Sequence, residues 1–418
     1  MKLLLYTWKA NNEQILADNL IKLGLEVLWF DKECRHFTRD MELAAEMIPY
    51  IHQKGIEAIV SFNYFPIISM ICDTCKIPYY AWVYDCPHFT LYAKHIMLPC
   101  NHIGVFDREM VRKLWDKGVQ TVYHVPLSVD VKHFAQVIME NIGISDAGSV
   151  HEVCASSGSR KNLPLNFASD ISFVGSLYSD EYNYYDRLLD KKDKEIFDEF
   201  VRKQCFCYNR DYFGEALTKK ELDLSIIQAK MEEHGLMLGE DYFADVKELL
   251  QAKVLDKKVT VEERSILFNK IAETFGEKYQ FNLYTASDLQ KQPLLKKFYR
   301  QTVDYHKQMP LVFAGSRINL NVTLRSIHSG IPLRVLDIMA CGGFVLTNPQ
   351  PEIMEYFEDG REIAVFRSME ECLDKISYYL EHEEERQAVA AAGLHSVQER
   401  FGYGTGLMKL FGLEEQKG

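Results

Sequence analysis

Short, wholly apolar runs alternate with amphipathic stretches of helical period along most of this chain. That alternation leaves few architectures open. "KLLLYTW", "LEVLWFD", "IEAIVSF", "PYYAWVYD", "HIGVFD" and "TVYHVPL" read as strands. Between them lie "NEQILADNLIKLG", "MELAAEMIPYIHQKG", "FPIISMICDTC" and "REMVRKLWDKG", with apolar residues at helical spacing and, in three of the four, a glycine at the end. Strands this short and this apolar, each followed by a helix, belong to a parallel sheet covered on both faces. A second α/β series begins at "DISFVGSL", Asp170 to Leu177, and resumes with "YQFNLYT", "RINLNVT" and "GFVLTN". A long charged stretch of helical pattern, about 181–277, interrupts it. The expected division is a doubly wound domain over 1–140, a Ser/Gly-rich linker over 141–169, a second such domain over 170–400 with a helical insertion, and a tail over 401–418. Neither half carries G-x-G-x-x-G after a strand, which argues against a nicotinamide enzyme.

At 418 residues the chain exceeds one ordinary core, in keeping with two domains. A net charge of −12 gives no basic footprint for broad nucleic-acid binding. The start, "MKLLLYTWKANN", is too short an apolar run for a secretion signal, and no run of about 20 apolar residues offers a membrane span. A cytoplasmic location is the expectation. The ten cysteines are scattered, as in a reducing compartment. Cys72 and Cys75 form a single C-x-x-C at a helix end with no second pair, and read as ordinary thiols.

In open α/β sheets ligands sit beyond the carboxyl ends of strands, so the residues there carry the chemistry. Arg325 to Asn348 reads "RSIHSGIPLRVLDIMACGGFVLTN". Pro332 suits a first helical turn, and Ser329, Gly330 and Ile331 ahead of it can aim free N–H groups at an anion. Arg334 and Asp337 are helical neighbours at i, i+3. They are either part of a phosphate and ribose site or a plain surface pair. Arg317, Asn319, Asn321, Thr323 and Arg325 alternate with apolar residues, giving a strand with one polar side. If that side lines a cleft, Arg317 or Arg325 can neutralise a diphosphate; a solvated edge is the alternative. "WVYDCPHF" sets Asp85 and His88 just past a strand, where either can take a proton from an acceptor hydroxyl. Asp107 reads as a helix cap. No D-x-D occurs, and no His/Cys/Asp group has metal-ligand spacing, so no metal or other cofactor is expected.

"SGIPLRVLDIMACGGFVLTN" with "PQPEIMEYFEDGREIAVF" resembles the carboxyl-terminal domain of the CgeB-like, spore-maturation glycosyltransferases, relatives of the GT-B enzymes. "IPYYAWVYDCPHFTLY" and "VYHVPLSVDVKHF" are similar to the partner domain of that family. The resemblance implies a GT-B fold and transfer of a sugar from a nucleoside-diphosphate sugar to an unidentified surface, spore or small-molecule acceptor. A sugar-nucleotide epimerase or hydrolase, or a non-catalytic sugar-nucleotide binder, is the alternative. Two glutamates seven residues apart bracket the loop in the wider retaining family. The second, which holds the ribose, falls on Asp337; the first falls on Ser329, with His328 beside it. The resemblance also brings Gly175 and Ser176 to the donor phosphates. Thr347, closing the next strand, either lines the same pocket or is a simple turn residue. Kinship with the glutamate-bracketed enzymes leans to retention; a base at Asp85 or His88 suits inversion.

Overall fold

In the computed structural model, residues 1–143, 167–179, 184–218 and 224–413 are described. Most of the expected linker, and the last residues of the tail, lie outside them. The amino-terminal sheet contains β1 (Lys2–Thr7), β2 (Glu26–Asp31), β3 (Ala58–Phe62), β4 (Tyr79–Val83), β5 (Asn101–Val105) and β6 (Val122–His124), in the order β2-β1-β3-β4-β5-β6. Every neighbouring pair is parallel. Burial follows position in the sheet. Leu3, Leu4, Leu5 and all of β3 are buried, whereas the edge strand β2 is partly exposed along its length.

The second sheet contains β7 (Ser169–Val174), β8 (Phe281–Tyr284), β9 (Tyr299–Arg300), β10 (Ser316–Asn321), β11 (Val345–Thr347) and β12 (Ala364–Val365), also all parallel, in the order β12-β11-β10-β7-β8-β9. β9 has two residues, too few to show any period in the sequence. Strand order reverses between β1 and β3 in one sheet and between β7 and β10 in the other. Crevices form outside the carboxyl ends at these points.

The 181–277 stretch divides in two. Helix Asp256–Phe275 is the crossover from β7 to β8, and its Leu267, Phe268, Ile271 and Phe275 pack with Ile171, Phe173, Phe281 and Leu283. Ahead of it, helices within 185–250 close their own core around Phe197, Phe213, Met231, Leu250 and Leu255. This subdomain reaches the amino-terminal domain. Asp241 pairs with Arg39, Phe243 N–H donates to Tyr92 O at 2.9 Å, and Glu248 meets Lys117 at 3.1 Å.

The expected tail is a structural element as well. Helix Tyr403–Leu410 returns to the first domain and lays Tyr403, Leu407 and Leu410 against Leu3, Leu5, Val60 and Trp82. A Cβ on Gly406 would stand 2.1 Å from the Trp82 ring. Gly406→Ala therefore pries this helix from the sheet and costs about 1–3 kcal/mol in urea unfolding. Gly404→Ala, where a Cβ meets nothing within 4 Å, is neutral or slightly stabilising in the same measurement.

Candidate active site at the domain cleft

A cavity of about 630 Å³ opens at the carboxyl ends of the first sheet, lined by Thr7, Trp8 and Lys9 after β1, Asp31 and Glu33 at β2, Asn63 after β3, and Asp85 and His88 after β4. Asn63 organises it. Its Nδ2 donates to Asp85 Oδ2 at 2.6 Å, and its Oδ1 accepts from the N–H groups of Tyr84 and Asp85 at 3.0 and 3.2 Å. Asp85 Oδ1 makes no hydrogen bond among the described residues. His88 is otherwise engaged: its Nε2 lies 3.2 Å from both the N and the O of Tyr64 and 2.7 Å from Thr90 Oγ1. Burial pushes the imidazole below its ordinary pKa, with the Tyr64 contact and Asp85 pulling the other way. Asp85 is thus the better placed of the two as a proton acceptor.

The loop ahead of Pro332 does cradle an anion, but the anion is part of the chain. His328 N–H and Ser329 N–H donate to Asp107 Oδ2 at 2.6 and 3.1 Å. Ser329 Oγ lies 3.0 Å from Asp107 Oδ1 and 2.8 Å from Glu352 Oε1, and accepts from Glu109 N–H at 2.9 Å. Glu352 also accepts from Arg108 N–H and pairs with His124 at 2.8 Å. Asp107 still caps its helix through Met110 N–H. A Cβ on Gly330 would stand 2.7 Å from the Phe106 ring, so only glycine lets the loop seat this closely. Ile331 is core. The loop expected to receive donor phosphate is therefore a joint between domains. A carboxylate in place of Ser329 would face Asp107 and Glu352 directly.

Two further cavities run beside this joint. One, of about 290 Å³, lies between His88, Lys113 and Lys117 of the first domain and Gln251, Asp256, Ser326 and His328. The other, of about 250 Å³, is lined by Tyr208, Asn209, Arg210, Arg325, Gln350 and again Gln251, Asp256 and His328. His88 joins the first of these to the 630 Å³ cavity, so the three form a series. Among the described residues Lys113 makes no ion pair, and it is the cation facing this cleft without a carboxylate partner. His328 lies below its ordinary pKa, through burial first and Lys113 second.

Asp256, the first residue of helix Asp256–Phe275, lines both of these cavities. Asp256, Thr260, Glu263 and Arg264 are buried along the stripe that continues as Leu267, Phe268, Ile271 and Phe275. Polar residues thus occupy the part of the stripe at the strand ends, and apolar residues the part over the sheet. Arg264 bonds Ser176 O and Val322 O, spanning the ends of β7 and β10 at the point of strand reversal. Its Nε is buried without a partner, and burial lowers its pKa to about 10. Lys113, Asp256 and Arg264 were not singled out in the sequence. The signal was present in the helical phase shared by 256–264 and 267–275.

The remaining expected donor residues are placed as follows. Arg317 sits at the amino end of β10, away from the cleft, paired with Asp170 at 2.9 Å. The strand runs from Ser316, so its first residues face the opposite rim. Its polar side is not a cleft wall either: Asn319 Nδ2 donates to Phe313 O and Phe344 O, and Asn321 Nδ2 donates to Thr347 Oγ1 at 2.8 Å, all buried. Arg325 lines a cavity, but its charge is neutralised by Glu263, with Gln204 O and Cys207 O taking its other hydrogens. Gly175 N–H donates to Tyr284 O, and Ser176 Oγ lies 3.2 Å from Ser287 Oγ, both at the ends of β7 and β8. Arg334 and Asp337 pair at 3.3 Å, and Tyr305 O–H donates to Asp337 Oδ1 at 2.8 Å. Asp337 is buried and lines none of the three cavities. Desolvation raises its pKa to about 6 against the pull of Arg334 and Tyr305. Among the described residues no group of three or more metal-ligating side chains converges, and no helix is long and apolar enough to cross a membrane.

Residues 264–411 match the family described as "Glycosyl transferase-like". No curated protein matches the sequence. The fold is similar to sucrose-phosphate synthase from Thermosynechococcus elongatus, at 10% identity and a TM-score of 0.53, covering 99% of this chain and 98% of the other. It is equally similar to Anabaena Alr3699/HepE in complex with UDP-glucose, at 9% identity, a TM-score of 0.53 and 99% of each chain. The chain has the GT-B fold, and its residues 264–411 are similar to a glycosyltransferase family.

Two expectations follow from the geometry. Ser329→Glu destabilises the chain by several kcal/mol in urea unfolding, because it buries an uncompensated charge. Ser329→Ala costs about 1–3 kcal/mol in the same measurement. For Asp337, whose folded pKa is raised, the neutral form is favoured by the fold, so its contribution is full at low pH and lost as pH rises through about 6. Asp337→Asn therefore gains on wild type by a few degrees of Tm between pH 4 and pH 7, read by calorimetry at each pH.

Proposed function

We propose that the chain transfers a sugar from a nucleoside-diphosphate sugar to a hydroxyl of an acceptor held in the 630 Å³ cavity of the amino-terminal domain. The observation carrying this reading is the series of three cavities. The first, with Asp85, meets the second at His88, and the second meets the third at Asp256 and His328. Acceptor, sugar with diphosphate, and nucleoside fit that order. Asp85 removes the acceptor proton with its open oxygen while Asn63 fixes the carboxylate. Lys113 neutralises the departing diphosphate, and Arg264 adds positive potential at the strand reversal. Tyr208, in the third cavity, offers an aromatic face to a base, with the Arg325 guanidinium 4.3 Å from its ring centre. A base at Asp85 goes with single displacement and inversion at the anomeric carbon.

Nothing in this scheme uses a metal ion, and activity in EDTA is the corresponding expectation. The resemblance to CgeB-like enzymes favours a surface or spore glycan as acceptor and action in the cytoplasm. UDP-glucose, the ligand of the Anabaena structure, is the first donor to try.

Thermal unfolding with UDP-, GDP- and dTDP-sugars tests the donor: a ligand bound by the folded state alone raises Tm. No shift with any of the three classes would contradict the reading. With a binding donor and a panel of sugar acceptors, Asp85→Asn lowers kcat by about 10²–10⁴-fold and leaves donor affinity within about twofold. His88→Ala has the smaller effect on kcat. Normal turnover by Asp85→Asn removes the base assignment. Equal turnover of donor with and without acceptor favours hydrolysis over transfer.

A further inference from the structure

Asp256 is the first residue of the crossover helix, and its placement is unusual. A π-helical turn, Gln251–Leu255, leads directly into it. Such turns shift the helical phase by one residue and recur at functional sites. Here the shift brings Gln251, Ala252 and Asp256 together onto the cleft wall. Asp256 is 5% exposed, yet it lines both the interdomain cavity and the cavity beyond it. Its Oδ2 is buried without a hydrogen-bond partner. Buried carboxyl oxygens are normally satisfied, and one left open inside a cleft is a vacancy for a donor group.

The neighbours define what that donor is. No arginine or lysine is paired with Asp256: Arg325 is held by Glu263, and Lys113 makes no ion pair. The remaining groups facing it are Asp211, Gln251 and His328. Burial first, then Asp211, push the Asp256 carboxyl up to about 7, with Lys113, Arg325 and Gln251 opposing. A cationic ligand would meet Lys113 and Arg325 as well as Asp256. A neutral hydroxyl meets no such repulsion and supplies the hydrogen that Oδ2 lacks.

Building on the glycosyl-transfer reading above, we propose that Asp256 binds a sugar hydroxyl of the nucleotide-sugar donor, at the boundary between the interdomain cavity and the Tyr208 cavity. That hydroxyl belongs either to the transferred hexose or to the ribose. The chemistry is the same for both, and Asp256 then performs from the insertion side the recognition expected of the 329–337 segment, which the domain joint has taken up.

Calorimetric titration of the full chain with UDP-glucose, UDP and 2′-deoxy-UDP tests this. Asp256→Asn keeps the shape and replaces one accepting oxygen by an NH2 group that can only donate; Asp256→Ala removes both oxygens if the first variant folds poorly. The expected result is UDP-glucose affinity weakened about 10- to 100-fold, as for loss of a hydrogen bond to a charged group. If UDP binding is unchanged, the partner is the hexose. If UDP weakens equally and 2′-deoxy-UDP binds wild type and variant alike, it is the ribose. Because Oδ2 has no protein partner, Tm of Asp256→Asn should equal or exceed that of wild type. Unchanged affinity for both UDP-glucose and UDP overturns the proposal, as does a fall in Tm with binding intact, which would make Asp256 structural. Wild type that binds none of the three overturns the donor reading itself, a failure visible before any variant is made.

Discussion

Two buried carboxylates, one from each domain, share a single serine hydroxyl. Asp107 follows β5 in the first domain, Glu352 opens a helix in the second, and Ser329 Oγ stands within 3.0 Å of both. Much else depends on this joint. It takes up the N–H groups of His328 and Ser329, so the loop closes on the chain itself and not on a ligand. It requires glycine next to Ser329, where Phe106 approaches. It also demands a small neutral residue at 329, since two carboxylates already face that point.

That loop is closed on the chain itself. The open space lies between Lys113 of the first domain, the insertion, and the strand ends of the second. The insertion supplies what the loop no longer offers: a second tether to the amino-terminal domain through Asp241 and Glu248, and a polar helical face ending in Asp256 and Arg264. Domain orientation and cleft composition are therefore coupled.

Local pattern carried a good deal of this. Runs such as "KLLLYTW" and "IEAIVSF" are apolar on both faces because both faces of a central parallel strand are covered, and that holds without any long-range knowledge. The i, i+3 spacing of Arg334 and Asp337 made them neighbours, and they are paired. Asp85 and His88, three residues apart after one strand, share a cavity wall. The polar side of β10 was legible as a pattern but not in its use. Alternation says that Asn319 and Asn321 share a face; it does not say whether that face meets water, ligand or the backbone of Phe313 and Phe344.

What the sequence by itself determined is the class of fold, two doubly wound sheets, and the strand ends at which residues of one chain segment collect. These follow from periodicity, which is a property of neighbours along the chain. Only the tertiary structure decided which anion fills the 329 cradle, where the carboxyl-terminal helix docks, and that Asp256 faces a cleft. Those outcomes depend on pairs 222 residues apart for Asp107 and Ser329, and 274 apart for Ser128 and Gly402. Charge and shape at such separations meet only once the sheets are packed, because no local propensity encodes the partner across the cleft.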